Sequence, residues 1–152
     1  WYRDLFRRVG GLDWLWFSRL GMGDTELSAI LNSDDVHVYS LRHNGHDEGL
    51  LELNFAQKGE CELGYFGVTA DMVGTGAGRW LMEQALDKAW AQPISRFHLH
   101  TCTLDSPQAL PFYLRSGLTA YGRKIEVADD PRNFGVLPED CAPQQPVIKP
   151  AT

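Results

Sequence analysis

Gly74, Gly76 and Gly78 alternate just ahead of an amphipathic stretch, in the run Val68-Thr69-Ala70-Asp71-Met72-Val73-Gly74-Thr75-Gly76-Ala77-Gly78-Arg79-Trp80-Leu81. Alternate glycines let a backbone turn several N–H groups toward one point. Where a helix starts, those N–H groups lack intrahelical acceptors, and the helix dipole adds to their pull on an anion. The chemistry on offer is the holding of a pyrophosphate without a metal, with Arg79 able to add a cation. A tight strand-to-helix connection with no ligand is the plainer alternative. Three alternate glycines argue against it, because they cost chain entropy and give no packing. Two common nucleotide loops fail on specifics. A dinucleotide fingerprint needs a glycine where Arg79 stands, and a P-loop needs Gly-Lys followed by Ser or Thr.

The elements that must carry this loop are legible on either side of it. Val36 to Leu41 is β-rich, Asn44-Gly45 is a two-residue hairpin signal, and a strand near Leu50 to Phe55 follows. A turn at Lys58-Gly59 leads to a strand near Cys61 to Val68. After the loop, Leu81, Met82, Ala85, Leu86, Ala89 and Trp90 recur at helical spacing until Pro93. Phe97 to Thr103 reads as a strand, Pro107 to Arg115 as a short helix closed by Gly117, and Leu118 to Val127 as a last strand. Upstream, Tyr2, Leu5, Phe6 and Val9 predict a helix stopped by Gly10-Gly11. Asp24 caps a second one bearing Leu27, Ile30 and Leu31. The expected fold class is α/β (α+β): a mixed, mainly antiparallel sheet with helices on both faces, within residues 1–130. Residues 131–152 carry Pro138, Pro143, Pro146 and Pro150 without periodicity and are expected as an extended, partly mobile tail.

Composition narrows the function. A chain of 152 residues with formal charge −6 fits one domain and argues against a nucleic-acid surface, which needs clustered Lys and Arg. The three cysteines, Cys61, Cys102 and Cys141, are odd in number and widely spaced, which points to reduced thiols in a cytoplasmic protein. No apolar run approaches the roughly 20 residues of a membrane span, and no signal peptide is visible. The chain opens on Trp1, so a lost N-terminal piece stays open.

The glycine run resembles motif A of the GNAT superfamily of N-acetyltransferases, Q/R-x-x-G-x-G/A, here Val73-Gly74-Thr75-Gly76-Ala77-Gly78. Phe112-Tyr113-Leu114-Arg115-Ser116-Gly117-Leu118 resembles that family's motif B. The likeness covers roughly Val36 to Val127. It implies a GNAT-like fold and acetyl-CoA as acyl donor. The pyrophosphate would lie on Val73, Gly74, Thr75, Gly76, Ala77, Gly78 and Arg79. The pantetheine arm would pair with the backbone of Phe66, Gly67 and Val68, where Gly64 and Gly67 permit a bulge or close approach. Three departures stand out. Val73 occupies the Gln/Arg position and loses a side-chain contact. Ser106 stands where many relatives have Asn, as a donor-site residue and helix cap. Pro111 falls inside the motif B helix. The family also has a strand before its first helix, and here the chain begins at the helix, consistent with a missing first strand.

Acetyl transfer needs a neutral amine, a stabilised oxyanion and a leaving thiolate. Strand alternation puts Glu62 on one face with Gly64, Phe66 and Val68, and some relatives carry a general-base Glu at about that position. A hairpin centred near Gln57 would set Glu52 opposite Glu62, raising one pKa. Two solvated edge carboxylates are the alternative. Tyr113 is the candidate acid for the thiolate, with a packed aromatic as the alternative. The oxyanion donor is assigned to the backbone N–H of Val68 or a neighbour. His98 and His100 share a strand face but lack a third ligand, so no metal is expected. Cys102 is read as buried mid-strand and inert. Trp14, Trp16 and Phe17 come where relatives build the acceptor pocket. The resulting expectation is direct transfer from acetyl-CoA to a primary amine, on a small molecule or a protein, with no nucleic-acid or membrane partner and a homodimer left open. A non-catalytic acyl-CoA-binding or regulatory module is the rival.

Overall fold

Asn44 and Gly45 take φ values of 50° and 84° in the computed structural model, which describes residues 1–149. Two successive positive φ values give a hairpin turn whose twist matches its strands, so β1 (Val36–His43) and β2 (His46–Asn54) pair antiparallel. Gly59, with φ 79°, lies in the turn to β3 (Glu60–Val68), antiparallel to β2. β4 (Arg96–His98) then joins β3 in parallel, giving the order β1-β2-β3-β4. The sheet is therefore mixed and mainly antiparallel, as the sequence implies.

Helices cover both faces. α1 (Tyr2–Phe6) does not stop at Gly10-Gly11. It widens into a π-helical turn, Arg7–Gly11, and continues as α2 (Leu12–Trp14). Glycine is required there for space, because a Cβ on Gly10 would lie 2.0 Å from the Trp16 ring. α3 (Ser18–Gly21) and α4 (Asp24–Leu31) complete this layer. Tyr2, Leu5, Phe6, Val9 and Leu27 pack on Leu50 on one sheet face. α5 (Ala77–Trp90) lies on the other, where Leu81, Met82, Ala85 and Ala89 meet Leu51, Leu53, Cys61 and Leu63. Each fully buried leucine contributes about 1.5–3 kcal/mol. Trp90, read from periodicity as apolar-face, is instead half-exposed.

One irregularity decides the rest. Glu52 pairs with Tyr65 and Leu53 with Leu63, so Gly64 is left over as a bulge. Below it Cys61 and Leu63 face α5; above it Phe66 and Val68 do, while Tyr65 faces the α1 side. The bulge thus reverses the alternation along β3.

Two strand expectations fail. β4 ends at His98 instead of Thr103, because Asp105 Oδ2 accepts from the Thr101 hydroxyl (2.6 Å) and the Cys102 N–H (3.0 Å), folding that stretch into a turn. With no long β4 edge to pair with, Leu118–Val127 is not a strand, and Ile125 is 95% exposed. Cys102 is accordingly exposed, not buried mid-strand. α6 (Ala109–Arg115) places Pro111 in its first turn, where no intrahelical N–H is needed. Gly117, φ 93°, ends it.

Among the described residues the stretch from 131 onward has one short 3-10 turn, Pro131–Phe134, yet it packs. Leu137, Cys141 and Ala142 are buried against Leu15. Arg132 is buried and donates to the carbonyls of Cys141, Ala142, Gln145 and Pro146 while pairing with Asp130 at 2.7 Å. Pro150 and the two residues after it, part of the expected tail, lie outside the described residues.

Candidate active site

β3 and β4 share three rungs, the last being Glu62 with His98. Beyond it β3 runs on to Val68 without a β4 partner, so the two strands part at Glu62. The edge of β3 through Phe66, Gly67 and Val68 is open on that side, among the described residues.

The glycine loop opens next to this fork. Gly74 and Gly76 hold φ values of 79° and 91°, which other residues adopt at a cost of about 1–2 kcal/mol. Within the loop, Thr75 N–H reaches Met72 O (3.4 Å) and Ala77 N–H reaches Thr75 Oγ1 (3.3 Å). The N–H groups of Gly74, Gly76, Gly78 and Arg79 find no acceptor among the described residues. A Cβ on Gly78 would meet nothing within 4 Å, and its φ is ordinary. Neither strain nor internal crowding demands glycine at 78, so what it keeps clear is space outside the protein. This suits the close approach of an anion to a helix start. Arg79, in the first turn of α5, is solvent-exposed and paired with Glu83 at 3.1 Å. Val73 is exposed and adds no polar contact.

Aromatic side chains line the fork. On the α5 side Phe66 stacks on Phe112 (centroids 5.7 Å apart) and meets Tyr113 edge-on at 6.3 Å. The Tyr113 hydroxyl has no hydrogen-bond partner among the described residues. Burial, with Asp105 nearby, pushes its phenol well above the ordinary range. On the opposite side Trp16 packs against Tyr65 and Phe6, and its ring lies 3.6 Å from where a Gly67 Cβ would be. Trp16 Nε1 donates to Asp105 Oδ1 (3.1 Å). Asp105 therefore bridges the wall carrying Trp16 and the loop leading to α6, a role that sequence spacing does not signal. Ser106 does not cap α6, which starts from Gln108. Its hydroxyl accepts from the Gln108 N–H at 3.3 Å.

The carboxylates are redistributed by the bulge. Glu62 alternates with Cys61 and Leu63, so it faces the Tyr65 and Trp16 side, not the face of Phe66 and Val68 as simple alternation predicts. It also lies opposite Asn54, not Glu52. Its Oε1 is 3.0 Å from His100 Nδ1, and the side chain is one-third exposed. His98 lies 3.3 Å from Glu60. Among the described residues no three metal-ligating side chains are grouped to hold an ion. Glu52 is instead fully buried, accepting from the Tyr2 hydroxyl (2.6 Å) and pairing with Arg19 (2.5 Å). That arrangement ties α1 and α3 to β2. A wide, shallow concavity between Trp1, Asp4, Arg8 and Glu48 shares no residue with the fork.

The family model of the acetyltransferase (GNAT) family matches residues 11–118. Several solved structures share the fold. A transcriptional regulator from Bacillus halodurans C-125 superposes with TM-score 0.60 at 16% identity, over 68% of this chain and 73% of its own. An aminoglycoside acetyltransferase from an uncultured soil metagenomic sample, in complex with trehalose, gives TM-score 0.59 at 16% identity, over 70% and 73%. Aminoglycoside N-acetyltransferase AAC(6')-Iy in complex with CoA gives 0.58 at 12%, over 68% and 83%. No curated protein sequence matches. No helix among the described residues is long and apolar enough to cross a membrane.

Proposed function

Because the chain belongs to the acetyltransferase (GNAT) family, we propose that it transfers an acetyl group from acetyl-CoA to a primary amine by direct attack, as a cytoplasmic enzyme. The observation that carries this reading is the set of unpaired N–H groups at the start of α5, opening beside the fork between β3 and β4. The CoA complex of a protein with the same fold supports the donor.

The donor supplies a thioester whose carbonyl accepts the amine. Gly74, Gly76, Gly78 and Arg79 hold the pyrophosphate through backbone N–H groups and the helix dipole. The open edge at Phe66, Gly67 and Val68 offers backbone partners for the amide-bearing arm, and the N–H of Val68 or a neighbour steadies the oxyanion. A donor anchored at the α5 start enters from the α5 face. The amine must then come from the other face, where Glu62 and Trp16 stand. Glu62, steadied by His100, takes the proton as the nitrogen bonds to carbon.

Tyr113 acts at the sulfur, and its raised pKa defines how. A thiol ionises near 8.5, so handing a proton from this phenol to a thiolate is uphill. A hydrogen bond to the departing sulfur is the role that fits.

The acceptor is an amine on a small molecule or a protein. The experiment is a panel of polyamines, aminoglycosides, amino-acid amides and peptide N-termini with acetyl-CoA, reading free CoA. Release with at least one amine, together with a rise in Tm on adding acetyl-CoA, is expected. Neither effect with any member would sink the proposal.

A further inference from the structure

The C-terminal segment is fastened at one end to a single side chain and at the other to the turn that presents Trp16. Arg132 gathers four carbonyls between Cys141 and Pro146 and is itself fixed by Asp130. The segment so shaped grips α2: Ala142 N–H donates to Leu12 O at 2.7 Å, and the Gln144 side chain donates to Asp13 O. Leu137, Cys141 and Ala142 then close over Leu15. Leu15 has φ 57°, left-handed backbone that a leucine keeps only when its surroundings over-determine it. The next residue is Trp16, held against Gly67 and bonded to Asp105.

We propose that Arg132 is a positioning residue for the amine-side wall: by shaping the C-terminal segment into a clamp on α2, it keeps Leu15 turned and Trp16 seated over Gly67 beside Asp105. This rests on the acetyl-transfer reading for which substrate that wall meets, but the clamp itself does not. Among the described residues the hydrogen bonds of the segment run to α2 and to itself, and none reaches the glycine loop. Loosening it should therefore disturb the amine and spare the donor.

The three cysteines report on the clamp independently. Cys102 is exposed, Cys141 is buried where the segment packs on Leu15, and Cys61 is buried in the main core. The test is Arg132→Met in the full chain, with Ellman's reagent and steady-state kinetics against both substrates. The parent should show one fast thiol and the variant two, with Cys61 still protected. On that variant the KM for the best amine of the panel should rise at least about tenfold, against less than about twofold for acetyl-CoA; tenfold is about 1.4 kcal/mol of binding. If Cys141 opens and both KM values stay at the parent level, or rise together, the proposal is overturned. If Cys61 reacts as well, the fold is lost, and Leu137→Ala, which leaves Arg132 and Asp130 paired, decides by the same criteria. If the parent releases no CoA with any amine, the transfer reading is what fails. The clamp is then judged by Trp16 emission, taken as the difference from Trp16→Phe: a red shift accompanying Cys141 exposure supports it, and no shift overturns it.

Discussion

Replacing Tyr113 by Phe removes a hydroxyl that bonds to no other described residue, while the ring that packs on Phe66 and Phe112 stays. No buried partner is orphaned, so stability should change by less than about 0.5 kcal/mol. The catalytic loss is set by what the hydroxyl can do. With its pKa held well above the ordinary value by burial and then by Asp105, the phenol keeps its proton at any working pH and acts as a hydrogen-bond donor to the sulfur. A hydrogen bond to a charged group contributes about 1.5–3 kcal/mol, which is about 10- to 150-fold in kcat. This is smaller than the roughly 10²–10⁴-fold of full proton transfer. The assay is kcat for parent and variant with acetyl-CoA and with an acetyl thioester of a more acidic thiol. The variant should recover most of its deficit with the second donor, and the two pH profiles should be parallel up to about pH 10. Parent-level kcat with both donors would remove Tyr113 from the reaction. A loss of 10³-fold or more, with an alkaline limb present only in the parent, would mean that the proton is fully transferred and that the argument from the raised pKa is wrong.

Three further outcomes follow from the same geometry. Glu62→Gln should leave the Tm shift with acetyl-CoA intact and lower kcat by about 10²–10⁴-fold, most at low pH where the amine is protonated; an unchanged kcat would assign the base elsewhere. Gly78→Asp should hold or raise Tm, because an acidic residue suits a helix start. It should weaken CoA binding by about 10- to 100-fold through charge repulsion, and calorimetry showing parent affinity would displace the phosphate site. Tyr2, Tyr65 and Tyr113 have raised pKa values, and burial pushes the Cys61 thiol up to about 11. The unfolded chain therefore releases these protons first, and stability present below about pH 9 should be lost as pH rises through the folded values. A Tm that stays flat from pH 8 to 11 would contradict this.

Local chemistry was legible in the sequence wherever one or two residues suffice to dictate it. Asn44-Gly45 can hardly do anything but turn, and the periodicity from Leu81 to Ala89 has a single helical solution. Gly74 and Gly76 declare themselves because only glycine takes their φ cheaply. What failed depended on distant partners. Leu118–Val127 has strand composition, but a strand needs an edge, and the Asp105 turn removes the length of β4 that would supply it. Glu62 lies on the face opposite to the one alternation predicts, because a bulge is a property of a pair of strands: Gly64 permits it, while the register between Glu52 and Tyr65 decides it. The buried trio of Glu52, Arg19 and Tyr2 joins residues far apart in the chain. Arg132 looks like any arginine in a Pro-rich stretch until the carbonyls around it are seen.

The extra residue at Gly64 also sets what kind of change β3 can absorb. With Gly64 set aside, Cys61, Leu63, Phe66 and Val68 alternate without a break against Glu62, Tyr65 and Gly67. Losing that one residue would therefore leave both the core and the lining of the fork facing α5. What would go is the local bend and added twist that an extra residue gives one strand of a pair, at a point just beyond the last rung shared with β4. Gly64 is thus dispensable for packing, and its deletion would be felt in the opening of the fork, not in the core.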